Sequence, residues 1–409
     1  MKHGRLQASR LDAATGWAST EALTPIVRSA PDQSNTSVLF GKRIFMKVFR
    51  RLEPGLNPDL EIGEFLAKRG FGRVPPLLGS LSYVREADEP AAVAMLQGYV
   101  FNQGNGWQVT IEELGRYFER TLALALPAVS HADARAWAFE HGAPPPPEVA
   151  EAIGVYMMTA EVLGRRTGEL HRHLAEAPSE DAAFGLETMT AEDLRSLTRA
   201  MQAHATDQLE QLESALDRMD DRRREIAIRV LARRDDLVRQ LNDVSGVRDA
   251  GGRIRCHGDF HLGQVIVTEG DVMILDFEGE PARPLSARRA KSSPLRDVAG
   301  MLRSFSYAAL TGLGAATATR HEDFERLAPW ADAWETWVSA AYLRAYLSVT
   351  KGTPFLPPRT ADLEALLQLF TLDKALYELG YELNNRPDWV HIPLAGLMRV
   401  QTRRILLPA

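Results

Sequence analysis

The chain is short of several things. Its 409 residues include a single cysteine, Cys256. That excludes an intrachain disulfide and a zinc site built from cysteines, and fits a reducing compartment. No run approaches the ~18 consecutive apolar residues of a membrane helix. The opening residues MKHGRLQASRLDAATGW lack the apolar segment of a secretory leader. Positive charge is in deficit: 48 Lys and Arg stand against 54 Asp and Glu, a formal net charge of −6. The electrostatic case for nucleic-acid binding is therefore absent. What remains is the expectation of a cytoplasmic enzyme acting on small molecules.

The first hundred residues read as strands. TPIVRSA, SVLF and RIFMKVF are short and β-rich, and Gly41-Lys42 suits a tight hairpin turn. A helix follows, with Asn57 as N-cap, Pro58 in the first turn and Gly70 as the stop. Two more strands are expected near 77–85 and 91–101. NQGNGW at 102–107 then punctuates the chain, and almost everything beyond it carries helical periodicity. The proline run at 143–149 interrupts it. Residues 150–175 read as one helix with Val155, Met158, Val162, Arg166, Leu170 and Leu174 in helical spacing. Residues 190–243 read as two antiparallel helices capped by Thr190. Four further helices are expected at 295–312, 330–349, 361–384 and 389–404. Between these two groups of helices, QVIVT and VMILD flank the turn EGD as a small hairpin.

Charge sits beside those hairpin strands. In HGDFHLGQ, Asp259 and Gln264 are five apart; in DFEGE, Asp276 ends the second strand and Glu278 follows two later. Kinases use this layout: a catalytic-loop Asp, a metal-binding amide five residues on, then a metal-binding Asp after a hairpin. Gln264, Asp276 and Glu278 offer the oxygen ligands Mg²⁺ requires, and Asp259 would align an acceptor hydroxyl and take its proton. Lys47 lies in a strand apolar on both faces. It either snorkels from an edge or pairs with a carboxylate, and Glu61 and Glu64 of the next helix are the candidates. In the second case it would hold nucleotide phosphates. The QSNTS segment has no glycine-rich signature; its hydroxyls, Ser34 and Thr36 among them, either bond phosphate or make an ordinary turn. The fold expected is α+β and bilobal, protein-kinase-like, with a small β-rich ATP lobe at 21–101 and a mainly helical lobe at 102–409.

Longer motifs carry a family resemblance. QSNTSVLFGKRIFMKVFRRLEPGLNPDLEIGEFL, MLQGYVFNQGNGW, LGRRTGELH, the 257–281 stretch, SPLRDVAGMLRSFSYAA and YELGYELNNRPDWVHIPLAGL together make the chain similar to bacterial maltokinases, within the aminoglycoside-phosphotransferase-like superfamily. The resemblance implies an ATP- and Mg²⁺-dependent kinase that makes maltose 1-phosphate for α-glucan (glycogen) synthesis, in company with trehalose synthase. Carried over by motif, Asp259 is the catalytic base, and Gln264, Asp276 and Glu278 form the metal set. Lys47 contacts phosphates with Glu61 as its partner. Gln97 and Tyr99 belong to the hinge that meets adenine. The substrate side takes His257, Tyr381, Glu382, Arg386 and Trp389; the alternatives are that His257 braces the loop and that the last four are an ordinary amphipathic helix end. Family members carry a further N-terminal cap. Residues 1–20 are too short for one and read as a remnant or linker, so a partner is expected to cover the small lobe. The alternatives are an amino-sugar or aminoglycoside kinase, or a degenerate kinase-like module that binds trehalose synthase.

Overall fold

The computed structural model describes residues 4–11, 23–28, 35–85, 89–139, 142–242, 244 and 246–402. The small lobe is one antiparallel six-stranded sheet: β1 (Gly4–Arg10), β2 (Ile26–Arg28), β3 (Asn35–Phe40), β4 (Ile44–Phe49), β5 (Leu77–Arg85) and β6 (Ala91–Gly98), in the order β1-β5-β6-β4-β3-β2. The β3–β4 turn is at Gly41-Lys42, both at positive φ (56° and 53°), the twist a two-residue hairpin favours. Gly4–Arg10, inside the 1–20 stretch read as remnant or linker, form β1, which pairs with β5 from Gly4↔Arg85 to Arg10↔Gly79. Its side chains are exposed throughout, so it has no buried face for sequence periodicity to report.

Helix α1 (Pro58–Lys68) starts as expected. The Asn57 side chain accepts from the N–H groups of Asp59 (2.9 Å) and Leu60 (3.3 Å), and Gly70 follows the helix at φ 69°. Its apolar face, Ile62, Phe65 and Leu66, belongs to the core of the large lobe, where Phe65 stacks on Phe184 at 3.7 Å. The sheet keeps a small core of its own: Phe49, Leu77, Ala92 and Met95, with Leu60 and Leu11 against it.

The large lobe is helical. Its centre is the Phe324–Thr350 helix, whose Trp330, Trp334, Trp337, Tyr342 and Tyr346 are fully buried, packed against the Tyr156–Leu174 helix. The two approach closely at Gly164, where an added Cβ would stand 2.1 Å from the Tyr342 carbonyl oxygen. The expected 150–175 helix is in fact two, Pro147–Ile153 and Tyr156–Leu174, broken at Gly154 (φ 61°). The break shifts the helical phase, so Val155 and Met158 are exposed and Tyr156, Ala160 and Leu163 are buried instead. Residues 190–243 hold Ala191–Ala215, Asp221–Leu231 and Arg234–Gln240 rather than two helices. Helices Gly106–Thr121, His131–Phe139, Leu285–Arg289, Leu295–Thr317, Thr360–Asn385 and His391–Thr402 are the lobe's other α-helices among the described residues.

The hairpin Val265–Thr268/Asp271–Ile274 stands at the junction of the lobes. The 102–105 linker runs along it: Gln103 N–H donates to the Val267 carbonyl (2.8 Å), and Val267 N–H to that of Gly104 (3.0 Å). The two-lobed kinase-like arrangement is as the motif spacing implied.

Gly164→Ala should cost about 1–3 kcal/mol through the forced separation of two helices. Gly115→Ala, where an added Cβ meets nothing within 4 Å, should gain up to about 1 kcal/mol. Urea unfolding of both variants checks the contrast.

Candidate active site

Lys47 is on β4, between β3 and β6, so it is in the interior of the sheet and not at an edge. It is 5% exposed. Its Nζ meets three carboxylates: Asp59 Oδ2 at 2.8 Å, Asp276 Oδ1 at 2.6 Å and Glu278 Oε1 at 2.6 Å. Burial alone would lower the lysine pKa, but Asp59, Asp276 and Glu278 outweigh it and hold the group firmly protonated. The partner from α1 is thus Asp59, which corrects the pairing with Glu61. Two residues apart on a helix means roughly 200° of rotation, so only one of the two can face the sheet. Glu61 faces the large lobe instead, bonded by Arg255 (2.8 Å) and Arg289 (2.7 Å). Asp59 is doubly used: its Oδ1 accepts the Phe277 N–H at 2.9 Å, tying α1 to the DFE segment.

Asp276 has φ 64°, a left-handed conformation few non-glycine residues adopt. Burial would raise its pKa, yet Lys47 and Gln264 hold it below the usual carboxylate range. Glu278 is pushed the other way, by burial and by the neighbouring Asp276 and Asp59, against the pull of Lys47. Three carboxylates around one ammonium leave surplus negative charge. One carboxylate oxygen from each of Asp59, Asp276 and Glu278 lies within 4.8 Å of the other two, and the Gln264 amide donates to Asp276 Oδ2 at 3.3 Å. This all-oxygen, negatively charged donor set fits a hard divalent cation such as Mg²⁺.

The loop that carries Asp259 is pinned from beneath. Asp297, in the first turn of the Leu295–Thr317 helix, accepts the N–H of His257 (2.7 Å) on Oδ2 and that of Gly258 (2.9 Å) on Oδ1. His171 Nε2 approaches the same Oδ2 at 3.2 Å, and its Nδ1 meets the Tyr346 hydroxyl at 3.1 Å. Burial raises the Asp297 pKa, but His171, His257 and the Gly258 N–H together hold it below its ordinary 3.8. His257 donates from Nε2 to the Leu275 carbonyl (2.8 Å) between the rings of Phe260 and Phe277. It is wholly buried, so its place is in the loop's support and not against an acceptor. His261 is likewise spent locally, its Nδ1 accepting the Gly263 N–H at 3.0 Å, and burial pushes its pKa down.

Two residues that the sequence reading did not select complete the site. Lys374, on the Thr360–Asn385 helix, places Nζ 3.2 Å from Asp259 Oδ1 and 3.4 Å from Glu280 Oε1. Glu280 is bonded in turn by Arg283 and by Arg296 (3.0 Å). Burial opposes its ionisation, but Lys374, Arg296 and Arg283 bring its pKa down to about 2. Glu280 lay inside the quoted acidic stretch. Lys374 was visible only as a cation on a helix face shared with Glu378.

Other expectations fare differently. Thr36 sits opposite Val48, one residue out of phase with Lys47, whereas Asn35 and Ser37 share the lysine's face. Asn35 donates to Glu278 at 2.8 Å. Period-two geometry thus turns the Thr36 side chain away from the cleft. Ser34 lies outside the described residues. Gln97 and Tyr99 are at the end of β6, where the Tyr99 N–H is taken by the Arg43 carbonyl (2.7 Å). Tyr381, Glu382, Arg386 and Trp389 come together, but with one another. Arg386 bonds Glu382 (2.6 Å) and lies over the rings of Tyr381 (5.3 Å) and Trp389 (5.0 Å). Glu382 is buried and also accepts from Tyr307 (3.3 Å). It is eight residues beyond Lys374, about 12 Å further along the helix.

The phosphotransferase enzyme family model, APH, matches residues 26–330. The chain belongs to that family. Among curated proteins, this phosphotransferase is 25% identical over 381 residues to a glucosamine kinase of Streptacidiphilus jiangxiensis, covering 91% of this chain and 73% of that one. It is 27% identical over 371 residues to a glucosamine kinase of Mycolicibacterium smegmatis, covering 90% and 77%. Solved structures of glucosamine kinase share the fold. One crystal form aligns with a TM-score of 0.70 at 20% identity, over 98% of this chain and 78% of that one. Another, in complex with glucosamine, ADP and inorganic phosphate, aligns with a TM-score of 0.68 at 21% identity, over 97% and 79%. Among the described residues, no helix of the phosphotransferase is long and apolar enough to cross a membrane.

Asp297 generates a pH prediction. Its pKa is depressed by folding, so the unfolded chain binds the proton more readily and stability falls as pH drops through the carboxylate range. Asp297→Asn should cost about 1–3 kcal/mol at neutral pH. The difference from wild type should narrow below about pH 3.9, as read from denaturant midpoints across pH.

Proposed function

We propose that this phosphotransferase is an ATP-dependent kinase of an amino sugar of the glucosamine class. The observation that carries the kinase reading is the contact of Lys47 with Asp276 and Glu278 across the cleft, beside an Asp259 loop seated on Asp297. In this reading Lys47, oriented by Asp59, bonds nucleotide phosphate oxygens. The Gln97–Tyr99 segment lies along the base. Asp276 and Glu278, with the Gln264 amide, would hold Mg²⁺, which would supply positive charge to offset that of the nucleotide phosphates. Asp259 aligns the acceptor hydroxyl. The hydroxyl oxygen bonds to the γ-phosphorus as the bond to the β,γ-bridging oxygen breaks; ADP leaves, and the hydroxyl proton passes to Asp259. An ATP-consuming enzyme with one cysteine belongs in the cytoplasm.

The acceptor rests on the two curated glucosamine kinases that align over nine-tenths of the chain. Maltose was the acceptor that the motif resemblance implied, along with a trehalose synthase partner, and Tyr381, Glu382, Arg386 and Trp389 were the residues expected to contact it. Those side chains are engaged with one another, which weighs against a disaccharide lying on them.

³¹P NMR of reactions containing ATP, Mg²⁺ and either glucosamine or maltose separates the two. A sugar phosphate is expected from glucosamine; product from maltose alone overturns the amino-sugar assignment. Asp259→Asn should lower kcat by about 100-fold or more with its thermal midpoint retained.

A further inference from the structure

Phosphoryl transfer needs fixed positive charge where the γ-phosphoryl passes to the acceptor. The loop 257–264 contains no Lys or Arg. Its His261 is turned onto the Gly263 N–H, and Lys47 is enclosed by three carboxylates on the nucleotide side. The acceptor side has a cation from elsewhere. Lys374 arrives from a helix beyond residues 26–330, the stretch the family model covers. Among the described residues it is the one side chain bonded to the Asp259 carboxylate, through Oδ1 at 3.2 Å. It is held on its other sides by Glu280 at 3.4 Å and by the Tyr377 ring 4.6 Å from Nζ. Glu280 is fixed in its turn by Arg283 and Arg296.

This arrangement is more than neutralisation. With Oδ1 bonded to Lys374, rotation of the Asp259 carboxylate is restrained, and Oδ2 is the oxygen left for an acceptor hydroxyl. Resting on the kinase reading above, we infer that Lys374, steered by Glu280, is a positioning residue for phosphoryl transfer. It fixes Asp259 toward the acceptor and sets a positive charge beside the path of the transferring group. Glu280 thereby links the DFEGE segment to the helix that carries Lys374. One short stretch then serves both sides of the reaction, through Asp276 and Glu278 toward the nucleotide and through Glu280 toward the acceptor.

The test is steady-state kinetics of Lys374→Met and Lys374→Arg, with thermal midpoints and nucleotide-analogue affinity measured alongside. An interaction that matters in the transition state lowers kcat and leaves KM in place. Lys374→Met should lose about 100-fold in kcat, with nucleotide affinity and acceptor KM within about twofold of wild type. Lys374→Arg, which keeps the charge, should stay within about tenfold of wild type. A folded Met variant with wild-type kcat overturns the inference, as does one whose defect lies wholly in acceptor KM. Where the Met variant does not fold, a folded Arg variant as inactive as Asp259→Asn overturns it. Wild-type protein that transfers phosphate to no sugar overturns the kinase reading itself, and the inference falls with it. Full activity in the variants sinks the inference alone.

Discussion

A buried ammonium among three carboxylates, one buried and two partly so, is the constraint around which the phosphotransferase is organised. Lys47 comes from the sheet, Asp59 from the helix that follows it, and Asp276 and Glu278 from the segment after the hairpin, more than two hundred residues on. None of these charges is stable in an apolar interior by itself. Each is tolerable only when the other elements are in place, so the cluster couples the position of the sheet to that of the hairpin. Burial first, and the neighbouring Asp276 and Asp59 after it, push the Glu278 pKa upward, while three carboxylates about one ammonium leave the cluster with more negative than positive charge.

Asp297 does for the Asp259 loop what Asp59 does for the cleft. One carboxylate collects two backbone N–H groups and an imidazole, and so converts a glycine-containing loop into a fixed platform. Neither residue need touch a substrate. Both illustrate that the groups nearest the chemistry are held by charges one layer further out, where full burial makes each hydrogen bond costly to lose.

Much of this could be read without coordinates because it is local. The spacing of Asp259, Gln264, Asp276 and Glu278 is set by a loop and a two-residue turn, and a capped helix start or a Gly-Lys turn is written in adjacent residues. What could not be read depends on phase or on distance along the chain. Asp59 and Glu61 are equivalent in composition, and only the rotation of α1 against the sheet chooses between them. Thr36 and Ser37 differ by one step of a strand. Lys374 is 115 residues from Asp259 in sequence, and no periodicity connects them. Arg386 between two aromatic rings could equally have framed a sugar or, as the structure has it, filled the frame itself.

Helix α1 lies between the sheet and the large lobe, yet its loyalties are unequal. Its apolar face and Glu61 are committed to the large lobe through Phe184, Arg255 and Arg289, while Leu60 and the Asp59 carboxylate are its contributions to the small one. Mechanically, then, α1 is part of the base on which the sheet rests. The Lys47–Asp59 bond joins that base to β4, alongside the bonds from Lys47 to Asp276 and Glu278.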